Sequence, residues 1–169
     1  MAGLPGTGKS TVAEQLARVL GVPVVSVDPL ESAILSAGID ADQPTGLAAY
    51  LVAETIAEAV LRSGQSVIVD AVNAVAPARD QWVLLGDRLG AEVYFIETVC
   101  SDVSVHRRRL EERQRDLRHI AEPTWHAVEQ SLDEYASWSG LAGARSRLTL
   151  DTVAPVPQLV EQALAFLRA

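Results

Sequence analysis

Only one cysteine, Cys100, occurs in the chain. That excludes a disulfide framework and a cysteine-built metal cluster. Aromatic residues are scarce at 5%, and 14 Lys and Arg face 22 Asp and Glu. The resulting net charge of −8 disfavours a nucleic-acid partner, because counterion release needs a basic footprint. It leaves room for a small phosphorylated or hydroxylated ligand. Long apolar runs are missing as well, so no stretch reads as a membrane span. The N-terminus is a glycine-rich turn rather than a signal peptide, and the expected location is the cytoplasm. Lysine is the last shortage: Lys9 stands alone, and arginine is the cation everywhere else.

What is present is concentrated at the start. Gly3, Leu4, Pro5, Gly6, Thr7, Gly8, Lys9 and Ser10, followed by Thr11, fit the phosphate-loop pattern of Gly, four residues, then Gly-Lys-Ser/Thr. Glycines let backbone N–H groups curl around phosphate oxygens where a Cβ would clash. The helix that follows aims its positive end at the same oxygens. Lys9 is expected on the β- and γ-phosphates and the Ser10 hydroxyl on Mg²⁺. A compact ammonium on a flexible stem suits this place better than a planar guanidinium. The bland alternative is a glycine-rich turn before an ordinary helix. Such a loop normally follows a buried strand, yet Met1 and Ala2 alone precede Gly3. Either the strand lies upstream or the chain lacks it. In the second case the loop is expected to lose one of its two anchors. A sheet short of a central strand also invites pairing with a second chain, although the residues themselves set no oligomeric state.

The length of 169 residues suits one domain, spanning 1–169. Periodicity and punctuation predict helices over 9–20, 29–37, 47–63, 76–89, 102–115, 125–138 and 155–168. Strands are predicted over 22–27, 66–69, 92–99 and 147–151. The alternation implies an α/β class, a three-layer α/β/α arrangement with a mostly parallel sheet and a truncated first strand. In such sheets the site lies in the crevice at the carboxyl ends of the strands. Asp28 and Asp70 both fall at such ends, beside the phosphate loop.

Phosphoryl transfer needs a phosphate cradle, Mg²⁺, a group that activates the acceptor, and positive charge for the transition state. Asp70 closes an apolar strand and is the candidate second metal ligand beside Ser10; otherwise it caps the turn that follows. The residue after it is Ala71, not a water-activating acid, which leans towards transfer over hydrolysis. Asp28 is the candidate general base, or an N-cap ahead of Pro29. Arg107, Arg108, Arg109, Arg113, Arg115 and Arg118 crowd into twelve residues. They read as a lid around 107–122, with Arg109 and Arg113 as the catalytic candidates, or as a solvated helix paired with Glu111 and Glu112. Asn73 and Arg79 are candidate substrate contacts, or caps. His106 falls near Val103 and Leu110 and reads as a packing residue.

With these residues in place the chain resembles the small P-loop kinases. That group includes predicted bacterial kinases of the AAA type, the kinase domain of polynucleotide kinase, chloramphenicol phosphotransferase and zeta-toxin-like proteins. The resemblance implies that Asp28 acts on the acceptor hydroxyl and that arginines within Arg107–Arg113 bind phosphates. Several members carry an arginine three residues after the base, where this chain has Glu31. The expected function is transfer of the γ-phosphoryl of ATP, with Mg²⁺, to a hydroxyl of a small-molecule acceptor. The rivals are a nucleotide or nucleic-acid 5′-end kinase, a nucleotide-binding regulator or NTPase without an acceptor, and a truncated loop that binds nothing.

Overall fold

A computed structural model describes residues 1–113, 117–135 and 137–169, the side chains of Asp133 and Glu134 excepted. Arg115 of the lid reading lies outside the described residues. The chain begins with the loop and enters α1 (Lys9–Leu20), which buries Val12, Ala13, Leu16 and Ala17 on one stripe. Gly21 ends it in the left-handed conformation, φ 69°, and its N–H returns to the Ala17 carbonyl. Then follow β1 (Val24–Ser26), α2 (Val27–Ser36), α3 (Thr45–Arg62) and β2 (Ile68–Asp70). The second half holds α4 (Ala76–Leu89), β3 (Phe95–Val99), α5 (Val103–Glu112), α6 (Trp125–Glu134), α7 (Gly140–Gly143), β4 (Arg147–Asp151) and α8 (Val156–Leu167).

The strands form two parallel pairs. β1 pairs with β2, Ser26 opposite Asp70, and β3 pairs with β4, Phe95 opposite Arg147. Met1 and Ala2 join the pairs. The Met1 amine donates to the Val69 carbonyl at 2.6 Å on one side. On the other, the Ala2 amide donates to Ile96 O and the Thr98 amide to Ala2 O, each at 2.8 Å. The Gly3 amide then donates to Val72 O at 3.2 Å. Two residues therefore do the anchoring work of a strand: the entry to the loop is tied to the sheet on both flanks. The expected loss of an anchor does not occur.

Helices cover both faces. One core gathers Val25, Ala49, Ala53, Ala57, Trp82, Val83 and Phe95 under α3 and α4. The other gathers Val12, Leu16, Ile96, Leu150, Leu159 and Ala163 under α1 and α8. Neighbours Phe95 and Ile96 point to opposite cores, as a strand covered on both faces requires. The arrangement is the three-layer α/β/α fold that the alternation of elements implies. No helix among the described residues is long and apolar enough to cross a membrane.

Helix boundaries differ from expectation at two places that matter. α2 starts at Val27, with Ser26 as its N-cap residue, so Asp28 sits inside the first turn and is not the cap. Pro29 is tolerated there because the first N–H groups of a helix have no intrahelical partner. α5 ends at Glu112, and Arg113 turns back to extended backbone, φ −66° and ψ 125°.

Candidate active site

The phosphate loop runs from Gly3 to Thr11 with no regular structure before Lys9. Gly6 and Gly8 hold φ at 84° and 81°, a region that costs a residue with a Cβ about 1–2 kcal/mol. Gly3 has a second requirement: a Cβ there would lie 2.5 Å from Thr98 Oγ1 and 2.6 Å from the Thr98 carbonyl. The loop is pinned from inside and outside. The buried Thr7 hydroxyl donates to the Leu4 carbonyl at 2.8 Å. Thr7 Oγ1 and Thr98 Oγ1 lie 2.8 Å apart, and the Thr98 hydroxyl also reaches the Ala2 carbonyl at 3.3 Å. His106 Nε2 lies 2.8 Å from the Pro5 carbonyl.

Lys9 opens α1 and sends its ammonium to Asp70, 2.9 Å from Oδ1. Ser26 donates to the other carboxylate oxygen at 3.2 Å. Burial pushes the Asp70 carboxyl up, but the Lys9 charge and hydrogen bond, the Ser10 hydroxyl and the N-terminal amine outweigh it and hold it below the usual range. Ser10 and Asp70, paired in the sequence as metal ligands, are thus brought together. One hydroxyl and one carboxylate suit Mg²⁺, which keeps several waters and takes phosphate oxygens for the rest of its shell. Among the described residues no group of three His, Cys, Asp or Glu side chains stands ready to hold a metal alone.

Because Ser26 and Asp70 are register partners, the ends of β1 and β2 are adjacent, and Asp28 follows one of them by two residues. Half-buried Asp28 lies in the first turn of α2, where the helix dipole favours a carboxylate. The Tyr50 phenol reports the neighbourhood. Burial raises its pKa; the Asn73 N–H it accepts lowers it; the charges of Asp28, Asp70 and Glu31 raise it further. The charges of three carboxylates, Asp28, Asp70 and Glu31, are thus felt at one phenol. Glu31 accepts a 2.8 Å hydrogen bond from Thr45, which ties α2 to the start of α3.

Asn73 and Arg79, candidate substrate contacts or caps from the sequence, are both buried. Asn73 is buried, with φ 52°, its amide donating to Met1 O and its carbonyl oxygen accepting from Trp82 Nε1. Arg79 is 0% exposed. Its guanidinium donates to the Asn73, Ala74 and Ser137 carbonyls at 2.7, 2.8 and 3.2 Å. It also lies 4.3 Å from the Trp138 ring centroid. Both residues brace the segment after β2; neither side chain presents itself to an acceptor.

A cavity of about 840 Å³ opens beside the loop, lined by Gly6, Lys9, Ser10, Arg109, Arg113 and the Thr152–Val156 turn. Arg109 donates to Thr152 Oγ1 at 2.9 Å and to the Thr152 carbonyl at 3.0 Å. Arg113 makes a two-nitrogen contact with one oxygen of Glu122, 2.9 and 2.5 Å. The two arginines singled out from sequence line one wall, whereas Arg107, Arg108 and Arg118 are exposed. Sequence reading missed Thr98 and Thr152, which follow no motif, and took His106 for packing alone.

The chain matches the family model described as an AAA domain over residues 1–137. None of the curated proteins matches it by sequence. Solved structures do. A candidate kinase from Chloroflexus aurantiacus is 22% identical, with a TM-score of 0.78 over 98% of this chain and 95% of that one. A sugar kinase from Janibacter sp. HTCC2649 is 22% identical, with a TM-score of 0.71 over 99% and 91%. Kti12 from Chaetomium thermophilum, solved with ADP-AlF3, is 19% identical, with a TM-score of 0.71 over 97% and 95%. At these identities the likeness establishes the fold, that of the P-loop kinases.

Proposed function

Because this chain belongs to the AAA domain family, we propose that its loop binds Mg·ATP and that it transfers the γ-phosphoryl group to a hydroxyl of a small-molecule acceptor. The observation that carries the reading is the convergence of Lys9, Asp70 and Asp28 at two adjacent strand ends beside the loop. The proposal is of a cytoplasmic, single-domain enzyme.

In this reading the loop amides and Lys9 bind the β- and γ-phosphates, so Lys9 exchanges Asp70 for phosphate oxygens. Ser10 and Asp70 would hold Mg²⁺, which neutralises charge on the transferring group. Asp28 accepts the proton of the acceptor hydroxyl. The acceptor oxygen bonds to the γ-phosphorus as the bond to the β–γ bridging oxygen breaks, and ADP leaves with that oxygen. Arg109 and Arg113, on the cavity wall, act as the lid that excludes water and offsets developing charge. Two of the neighbours are by name a sugar kinase and a gluconokinase, in keeping with a small acceptor.

The test is ADP release from Mg·ATP with and without pooled hydroxyl-bearing metabolites, for the parent chain and Asp28→Asn. One pool should stimulate turnover. Asp28→Asn should bind ATP normally and lose about 10²–10⁴-fold of the stimulated rate. ATP binding with a flat rate in every pool would replace the kinase reading with a nucleotide-binding regulator.

A further inference from the structure

One buried ionisable side chain touches the phosphate loop without a part in the chemistry above. His106, on α5, is 4% exposed. Its Nε2 lies 2.8 Å from the Pro5 carbonyl oxygen. A carbonyl can only accept, so Nε2 carries the proton and donates. The ring is held on two more sides. Trp125, the first residue of α6, meets it edge-on at 5.2 Å between centroids and 86° between planes. Gly6 lies against it so closely that a Cβ at Gly6 would stand 3.0 Å from His106 Cδ2 and 3.2 Å from Leu110 Cβ.

The position of this hydrogen bond matters because of the peptide it grips. Pro5 C=O and Gly6 N–H belong to one planar trans unit, so fixing the carbonyl direction fixes the N–H in the opposite direction. Gly6 adopts φ 84°. Glycine reaches positive and negative φ at similar cost, so the chain itself does little to choose between the two faces of that peptide plane. The Thr7–Thr98 contact holds the next residue, leaving the Pro5–Gly6 plane to an outside group. Among the described residues, the side chain that bonds Pro5 O is His106.

We infer that His106 is a positioning residue for the phosphate loop: by holding Pro5 O it sets the Gly6 N–H in the orientation that phosphate binding uses. The inference rests on reading Gly3–Thr11 as a nucleotide site. It also couples α6 to the loop, because the ring that holds Pro5 is itself held by Trp125.

The experiment compares the parent chain with His106→Gln, His106→Leu and His106→Asn. The glutamine amide can reach the place of Nε2, leucine fills space without a donor, and the asparagine amide stops short. Titrations with ATP, ADP and adenosine are run beside thermal melts, and the Gly6 amide is followed by ¹⁵N NMR. Leucine and asparagine should weaken ATP and ADP about tenfold, the equivalent of one hydrogen bond. Glutamine should recover affinity to within about twofold of the parent, adenosine should bind all four alike, and the Gly6 resonance should shift in the leucine and asparagine variants alone. Parent-like ATP binding by folded His106→Leu or His106→Asn would overturn the inference. So would an equal loss for all three variants that tracks their melting temperatures and extends to adenosine, since that is a packing effect. A parent chain that binds neither ATP nor ADP would remove the site reading itself, an outcome seen before any variant is compared.

Discussion

The phosphate loop and the corner proposed to take the acceptor are built in opposite ways. The loop is one continuous stretch whose binding groups are backbone amides, and outside groups fix it: the Met1–Ala2 ladder, Thr98 and His106. The corner is assembled from separate elements, with Asp28 from α2, Asp70 from β2 and Tyr50 from α3. Its groups are side chains, mostly carboxylates, and its shape depends on how α2 and α3 pack. The difference follows from the tasks. Phosphates present the same oxygens to every such protein, so a rigid backbone cradle serves. An acceptor is chosen by its own shape and charge, and side chains on separate elements can change one at a time.

The sharpest way to test the division is Arg79, which stands near the corner but is spent on three carbonyls. Arg79→Met removes those donors and leaves buried acceptors unpaired beneath Trp138. The expected cost is about 3–5 kcal/mol of stability, read as a fall in melting temperature or denaturant midpoint. ATP affinity of the folded fraction should stay at the parental value. A folded variant of normal stability with impaired acceptor binding would return Arg79 to the site and blur the comparison.

Within the loop, the glycines should separate by what surrounds them. Gly3→Ala puts a Cβ 2.5 Å from a buried hydroxyl and 2.6 Å from a carbonyl, at φ 143°. Steric conflict and backbone strain together predict a loss of about 3 kcal/mol and of ATP binding. Gly8→Ala meets nothing closer than 3.6 Å. It should cost only the left-handed strain, about 1–2 kcal/mol. Equal losses in melts of the two variants would mean that Thr98 is not a fixed wall.

The same contrast explains what the sequence disclosed. The loop was legible because its chemistry needs particular residues at consecutive positions, and α1 followed at once from Val12, Leu16 and Gly21. Asp70 is legible as a strand end because an apolar run stops there, whereas Asp28 lies two residues past the end of β1, inside α2. Arg79 reads from the sequence as a ligand contact or a cap, and nothing local reveals that Ser137 and Trp138 return to enclose it. Ahead of Pro29, Asp28 reads as a general base or a helix cap, but a β1 of three residues lets α2 begin one residue before it, which rules out the cap. Thr98 and Thr152 carried no signal, since a threonine in or just after a strand is ordinary. His106 was correctly read as packed, yet its bond to Pro5 spans 101 positions in sequence and no local pattern encodes it.

The smallest expected effects concern the two arginines of the cavity wall, and they decide whether the wall moves. Arg109 grips Thr152, whose own hydroxyl donates to Val99 O at 3.1 Å, so it fastens α5 to the turn after β4. Arg109→Ala should loosen that wall and raise the Kd for ATP about fivefold, roughly 1 kcal/mol. Arg113 is different: it is paired with Glu122, the two side chains being 23% and 32% exposed, a setting in which the pair contributes at most about 1 kcal/mol. If Arg113 is held away from phosphate by that pair, Arg113→Ala and Glu122→Gln must act in opposite directions, the first weakening ATP and the second tightening it, each by about two- to fivefold. If the pair is only a brace, both variants weaken ATP alike, because either one breaks the same contact. A titration of the two single variants and the double variant separates these cases: a lid arginine makes the double variant resemble Arg113→Ala, since releasing a guanidinium that is no longer there can have no effect.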